Sequence, residues 1–165
     1  MTLEELNTLK DRAAIEMFHS CCHCWRWARQ MVISRPFKSF GALQEQADEH
    51  WARATHDEIL EAFAGHARIG DMESLKSRYS STTGEEQGQV LQTCEGVLRE
   101  LYELNLEYER RHGFIFIVCA TGKSAEEMLE LLKRRIDNST AQEMINGAQE
   151  QRDIIQLRLH KLINE

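Results

Sequence analysis

Pro36 is the only proline in the chain, and only nine glycines accompany it across 165 residues. So few backbone breakers leave long stretches free to coil into helices. The longest apolar stripe joins Val90, Cys94, Val97, Leu101, Leu104 and Tyr108 on one helical face, with Gly113 as its expected stop. Gly88 and Gly96 weaken that helix, each by about 1 kcal/mol against alanine. Other starts are marked by capping residues: Thr2 with Glu5, Ser39, Thr55, Ser124 with Glu127, and Thr140 with Glu143. A run through Ala13, Ala14, Met17 and Phe18 continues or restarts through Trp25, Ala28 and Met31. It must stop near Arg35, because Pro36 disfavours helix in the residue before it. Leu43, Ala47 and Trp51 share a face behind Ser39, while Ile59, Leu60 and Phe63 turn inward behind Thr55 in a helix ending around Gly65. The last helix turns Ile154, Leu157 and Ile155 inward. FIFIVCA, Phe114 to Ala120, fits a buried strand or a helix, and its apolar run alone does not choose. With at most one strand-like segment there is no sheet to build. The expectation is all-α: a single-domain helical bundle of about seven to nine helices over residues 1–165.

The formal net charge of −7 argues against nucleic acid. Lys133, Arg134 and Arg135 do cluster, but among carboxylates rather than on a one-sided basic stripe. No run reaches the roughly 18 apolar residues of a membrane span. MTLEELNTLKDR lacks the basic and apolar regions of a secretory signal, and the final LINE is not a peroxisomal address. Five cysteines, odd in number and unevenly placed, fit a reducing compartment better than a disulfide framework. A cytoplasmic protein is expected.

HSCCHC, from His19 to Cys24, invites a zinc reading. On a helix, His19 and His23 point one way while Cys21 and Cys24 point well round the cylinder, and Cys22 elsewhere again. Such ligands do not converge on a tetrahedral ion, and no second CxxC or HxxxH completes the set. Cys21 and Cys24 are therefore expected to be small core residues, with the histidines near solvent. Cys119, in apolar surroundings, and Cys94, on the core stripe, look inert as nucleophiles. Lys123 in ATGKS resembles the end of a phosphate loop, but Ile117 stands where that motif requires glycine. ATGKS reads instead as a helix entry whose backbone N–H groups offer an anion site.

FAGHARIGDMESLKSRYSSTTGEEQ, Phe63 to Gln87, reads unlike plain scaffold. His66 follows a helix end at Gly65, Asp71 stands five residues on, and Glu86 begins the long helix. Taken alone, a helix-terminal histidine is usually structural and a helix-entry glutamate usually complements the dipole.

With the rest of the chain, however, the segment resembles the 2-oxo-4-hydroxy-4-carboxy-5-ureidoimidazoline (OHCU) decarboxylases of uric acid degradation. The family's Cys-Cys-x-x-x-Trp-Ala element looks like CCHCWRWA, with a short offset, and its Arg-Pro-Phe stands at Arg35, Pro36 and Phe37. Its His-Pro-Arg-Ile-Gly-Asp signature stands at His66, Ala67, Arg68, Ile69, Gly70 and Asp71, with alanine in place of proline. Thr83, Glu86 and Gln87 match its next block. Leu104, Asn105, Tyr108, Gly113, Phe114 and Phe116 match the one after. Arg135, Asn138, Glu143, Ala148, Ile155, Leu157, Arg158 and Leu159 match its closing pattern.

The resemblance implies an all-helical, usually dimeric enzyme that converts OHCU to (S)-allantoin and carbon dioxide without metal or cofactor. It implies His66 as the acid–base residue, with Glu86 orienting substrate or tuning His66. Gln87 and Thr83 would bind polar ring edges, and Ala67 would line the site. Val118, Cys119, Ala120, Thr121 and Gly122 would offer backbone groups, and Arg158 would pair with the substrate carboxylate. A non-catalytic helical interaction module, or a hydrolase or isomerase of a related ureide, are the alternatives.

Overall fold

The structure is a computed structural model that describes residues 1–67 and 87–163, with the side chains of 87–94 left aside. Among the described residues there are eight helices and no strand: α1 Leu3–Thr8, α2 Asp11–Cys21, α3 Trp25–Ile33, α4 Phe40–Ala52, α5 His56–Ala64, α6 Gln87–His112, α7 Ala125–Arg135 and α8 Thr140–Ile163. The all-α expectation holds. The chain divides into two compact units, one of Met1–His66 with Ala148–Glu165, the other of Ala67–Gly147.

Local capping chemistry decides where most helices begin. Thr2 and Glu5, and again Thr55 and Glu58, form reciprocal capping boxes at α1 and α5. Ser39 Oγ accepts from Ala42 N–H at 3.0 Å, and Ser124 Oγ from Glu127 N–H at 3.2 Å. The start of α8 differs from the expected Thr140–Glu143 pair. Ser139 Oγ accepts from Gln142 N–H at 3.1 Å, one residue earlier, and this frees both expected residues for other partners. Thr140 Oγ1 lies 2.9 Å from His112 Nδ1, and Glu143 is taken up by a buried cluster described below.

The first unit has an apolar core of Leu6, Phe18, Trp27, Met31, Leu43 and Leu159, all fully buried. Each contributes about 1.5–3 kcal/mol by leaving water. Its indole N–H groups are satisfied inside: Trp27 Nε1 donates to the Ala47 carbonyl at 3.0 Å, and Trp51 Nε1 to that of Ala148 at 2.9 Å. After α3, Arg35 Nη1 donates to the carbonyls of Leu6 at 2.9 Å and Leu9 at 2.7 Å, stitching the chain back onto α1. The Arg35–Pro36 peptide is cis.

The run from α2 to α3 is not one helix. Cys22 and Cys24 have extended backbones, with φ/ψ of −151/116° and −130/109°. In a helix, residues two apart face opposite sides; in extended chain they share one. The break therefore buries both Cys22 and Cys24 and turns His23 the other way. The single-helix geometry used against zinc does not apply here, but Cys21, Cys22 and Cys24 are core residues all the same.

In the second unit, α6 buries Leu98, Leu101 and Tyr108, with α7 packed against it. It ends where expected: Gly113 has φ +82° and donates its N–H to the Glu109 carbonyl at 2.9 Å. FIFIVCA forms neither helix nor strand. Phe114, Phe116 and Ile117 are buried, the two rings edge-on to Tyr108 with centroids 6.1 and 5.2 Å away.

Candidate active site

His66 sits one residue beyond the end of α5. The last turn tightens there, with Gly65 N–H on the Ala62 carbonyl and His66 N–H on the Phe63 carbonyl at 3.1 Å. Gly65 has an ordinary φ of −76°, so its lack of a side chain serves another purpose. A Cβ at this position would run into the Cβ, Cγ and Nδ1 of His23. His23 in turn stacks on His19, whose ring lies 3.6 Å from that of Trp25 at an interplanar angle of 9°. The ring pile of HSCCHCW thus backs the histidine turn. Its cysteines face the core.

The His66 ring is half-buried, with Nε2 2.5 Å from Gln151 Oε1 on α8. Burial pushes its pKa below the ordinary histidine value, and the charges of Arg158 and His23 push the same way. The Gln151 hydrogen bond opposes them without winning. Near neutral pH the imidazole is therefore mainly uncharged and able to accept a proton. Arg158 is held by a hydrogen bond from Nη1 to the Cys21 carbonyl at 3.1 Å. One neutral imidazole and one guanidinium within its electrostatic reach form the chemical core of this unit.

In the second unit, Val118 to Gly122 form an exposed-to-half-buried turn. Lys123 N–H closes it on the Ala120 carbonyl at 3.1 Å, with Gly122 at φ +77° in the position that needs glycine. Lys123 Nζ donates to the Cys119 carbonyl at 2.7 Å, so this lysine braces its own loop. Behind the turn, Arg135 Nη1 donates to the Ile117 carbonyl at 2.9 Å while its guanidinium lies 4.5 Å over the Phe116 ring. Arg135 Nε pairs with the fully buried Glu143 at 2.9 Å. Tyr108 Oη donates to the same carboxylate at 2.6 Å, Asn138 at 3.0 Å and Asn146 at 2.7 Å. Burial raises the Glu143 pKa, but these donors and the Arg135 charge outweigh it and hold the carboxyl below its usual range.

The buried thiols are not poised for chemistry: burial pushes Cys21 up to about 11 and raises Cys22 and Cys24 as well. No group of three or more His, Cys, Asp or Glu among the described residues is arranged to hold a metal ion. No helix among them is long and apolar enough to cross a membrane.

The family model described as OHCU decarboxylase matches residues 7–160. The chain belongs to the OHCU decarboxylase family. It is 35% identical over 148 residues to the uric acid degradation bifunctional protein TTL of Arabidopsis thaliana, covering 88% of this chain but 46% of that longer protein. It is 26% identical to the 2-oxo-4-hydroxy-4-carboxy-5-ureidoimidazoline decarboxylase of Haloferax volcanii, covering 96% of this chain and 94% of that one. Among solved structures, an OHCU decarboxylase crystallised in the presence of (S)-allantoin superposes with a TM-score of 0.74 at 32% identity, covering 95% of this chain and all of that one.

Within this OHCU decarboxylase chain the residues expected at the site divide by unit. His66 and Arg158 belong to the first; Ala67, Gln87 and Val118–Gly122 belong to the second. Ala67 is exposed, and Gln87 opens α6. Thr83 and Glu86 lie outside the described residues, as does Asp71. Two groups escaped the sequence reading. Gln151 falls on the inward-facing stripe Ala148, Gln151, Ile155, Leu159 of α8, where a polar residue among apolar ones is itself a signal. Arg135, Asn138 and Glu143 matched the family pattern, but nothing in their spacing told that they bond to one another.

Proposed function

We propose that this chain decarboxylates OHCU to (S)-allantoin, with His66 as the acid–base residue. The observation that carries the reading is the His66 arrangement: a half-buried imidazole tied to a buried glutamine, with burial and the nearby Arg158 charge both lowering its pKa. Family membership supplies the substrate class.

The chemistry asks little of the protein because the substrate carries its own electron sink. The carboxylate leaves a carbon that also bears a hydroxyl and stands beside a C=N bond. When that C–C bond breaks, its electron pair forms a C=C bond to the neighbouring carbon, and the C=N pair moves onto nitrogen, which takes a proton. The hydroxyl then loses its proton to become the ring carbonyl, and the ureido-bearing carbon gains one. Carbon dioxide is released for one proton consumed. Neutral His66 takes the hydroxyl proton and returns it to carbon on one face only, which makes the product chiral. A histidine already charged at neutral pH would be unable to start this cycle.

Arg158 pairs with the substrate carboxylate, for which its planar fork is suited. Glu86 orients the ring or tunes His66, Gln87 and Thr83 bind polar ring edges, and Ala67 lines the site. The backbone of Val118, Cys119, Ala120, Thr121 and Gly122 reads the ureido and amide groups. No metal or cofactor is needed for this electron flow, so activity should survive exhaustive chelation. The chain is further proposed to act as a cytoplasmic homodimer. Light scattering on the eluted protein reads the dimer directly.

The deciding assay adds the protein to freshly generated OHCU and follows the optical activity of the allantoin formed. Rapid appearance of one enantiomer supports the proposal. Racemic product at the spontaneous rate would overturn it.

A further inference from the structure

Gln151 is fully buried on α8, and its Oε1 lies 2.5 Å from His66 Nε2, across 85 residues of sequence. An amide oxygen has no hydrogen to give, so the proton in that bond belongs to the histidine. The ring is thereby fixed as the Nε2–H tautomer, and the lone pair of a neutral imidazole is placed on Nδ1. Among the described residues Nδ1 has no hydrogen-bond partner. We infer that Gln151 is a positioning residue that pins the His66 tautomer, and that Nδ1 is the nitrogen which exchanges the substrate's proton. This rests on the acid–base role proposed for His66 above.

Three features of the site carry the inference. Gln151 stands in an apolar stripe, between Ala148 and Ile155, where packing alone favours a hydrocarbon side chain. Its own Nε2 is buried with no hydrogen-bond partner among the described residues. A buried amide left half-satisfied destabilises the fold, and such groups persist where the remaining bond does something packing cannot. The two residues also come from different parts of the first unit, a short turn after α5 and the middle of a 24-residue helix. The turn is held by its backbone bonds and the helix by its core face. The acceptor is therefore fixed relative to the ring before any substrate arrives.

The alternative tautomer would put the lone pair on Nε2, against the amide. It would hide the base from substrate, and it would require the amide to turn its own Nε2 toward the ring, leaving Oε1 as the buried orphan instead. Hiding the base opposes proton transfer, as in other sites where a histidine partner selects the reactive nitrogen.

The test pairs nitrogen-15 NMR with kinetics on the full chain. Long-range histidine spectra are recorded above the His66 pKa, and the His66 signals are assigned by their loss in His66→Asn. The expected wild-type result is a protonated Nε2 and an unprotonated Nδ1. Gln151→Met, close in size and without an acceptor at that place, should give averaged nitrogen shifts and lower kcat by at least about tenfold, with KM little changed. Gln151→Glu restores an acceptor, so it should restore the wild-type shift pattern and most of the turnover at high pH. A wild-type spectrum with the proton on Nδ1 overturns the inference, and so does unchanged kcat in folded Gln151→Met. If Gln151→Met fails to fold, the wild-type spectrum and the Gln151→Glu variant still decide. If the wild type shows no turnover of OHCU, the proposed reaction falls, and the spectra alone decide whether Gln151 pins the ring.

Discussion

The side chain of His23 occupies the space that a Cβ at Gly65 would need. The contact ties the extended break between α2 and α3 to the turn that carries His66, and it sets a steric rather than a conformational demand for glycine. Gly65→Ala should destabilise the protein by about 1–3 kcal/mol, the range of overpacked sites. Adding His23→Ala should recover much of that loss. A double-mutant cycle by urea unfolding measures the coupling; strictly additive effects would contradict the clash.

His66→Asn keeps a polar group of similar reach but cannot cycle a proton. Its kcat should fall by at least about 10²-fold while affinity for a non-reactive ring analogue changes far less. Near-wild-type turnover in a folded variant would remove His66 from the chemistry.

The pH dependence has a definite sign. Burial first, then Arg158 and His23, lower the His66 pKa, so the working neutral form persists to pH values below the ordinary histidine range. The acid limb of kcat/KM, which reports the substrate-free protein, should therefore lie below that of a free imidazole. Stability follows the same direction. Between the native pKa and the higher unfolded one, the unfolded chain binds more protons, so stability rises with pH across that window and is lost as pH falls through it. Burial lowers His19 and His50 in the same sense. His66→Asn should flatten part of the slope of melting temperature against pH; an unchanged slope would refute the depressed value.

Glu143 gathers Tyr108, Arg135, Asn138 and Asn146 around one carboxylate with no exposed surface. Glu143→Ala leaves the largely buried Arg135 guanidinium without its carboxylate and should cost about 3–5 kcal/mol. Glu143→Gln keeps the shape and should cost less. Since the native carboxyl sits below its ordinary pKa, the stability it adds is present above the unfolded carboxylate pKa and lost as pH falls through the native one. Acid unfolding of the wild type against Glu143→Gln checks this: the two curves should converge at low pH.

Cys21, Cys22 and Cys24 are buried, and their thiols are hard to ionise. At pH 8 an alkylating reagent should leave all three unmodified in the native protein and label them after unfolding, as mass spectrometry reads directly. Replacing all three with alanine or serine should cost about 1–3 kcal/mol in total yet spare turnover per folded molecule. Lost kcat with an unchanged melting curve would give them a role beyond packing.

Much of the fold was legible because its signals are local. A capping box spans three residues, so Thr2–Glu5 and Thr55–Glu58 declare their helices without any tertiary information. Gly113 likewise ends α6 through its own φ. The spacing of Leu43, Ala47 and Trp51 marks a buried face whatever packs on it. Family motifs brought His66 and Arg158 into view, since a short ordered pattern survives in sequence even where its purpose does not show. Tertiary structure decided the rest. Cys22 and Cys24 leave the helix because both must be buried on one side, a demand set by the core and not by their propensities. Ser139 rather than Thr140 caps α8, leaving Thr140 to meet His112 and Glu143 to join the cluster around Tyr108. The partner of His66 lies 85 residues away on another helix. Helical period shows which side of α8 faces inward, but which side chain meets Gln151 there depends on how separate helices pack.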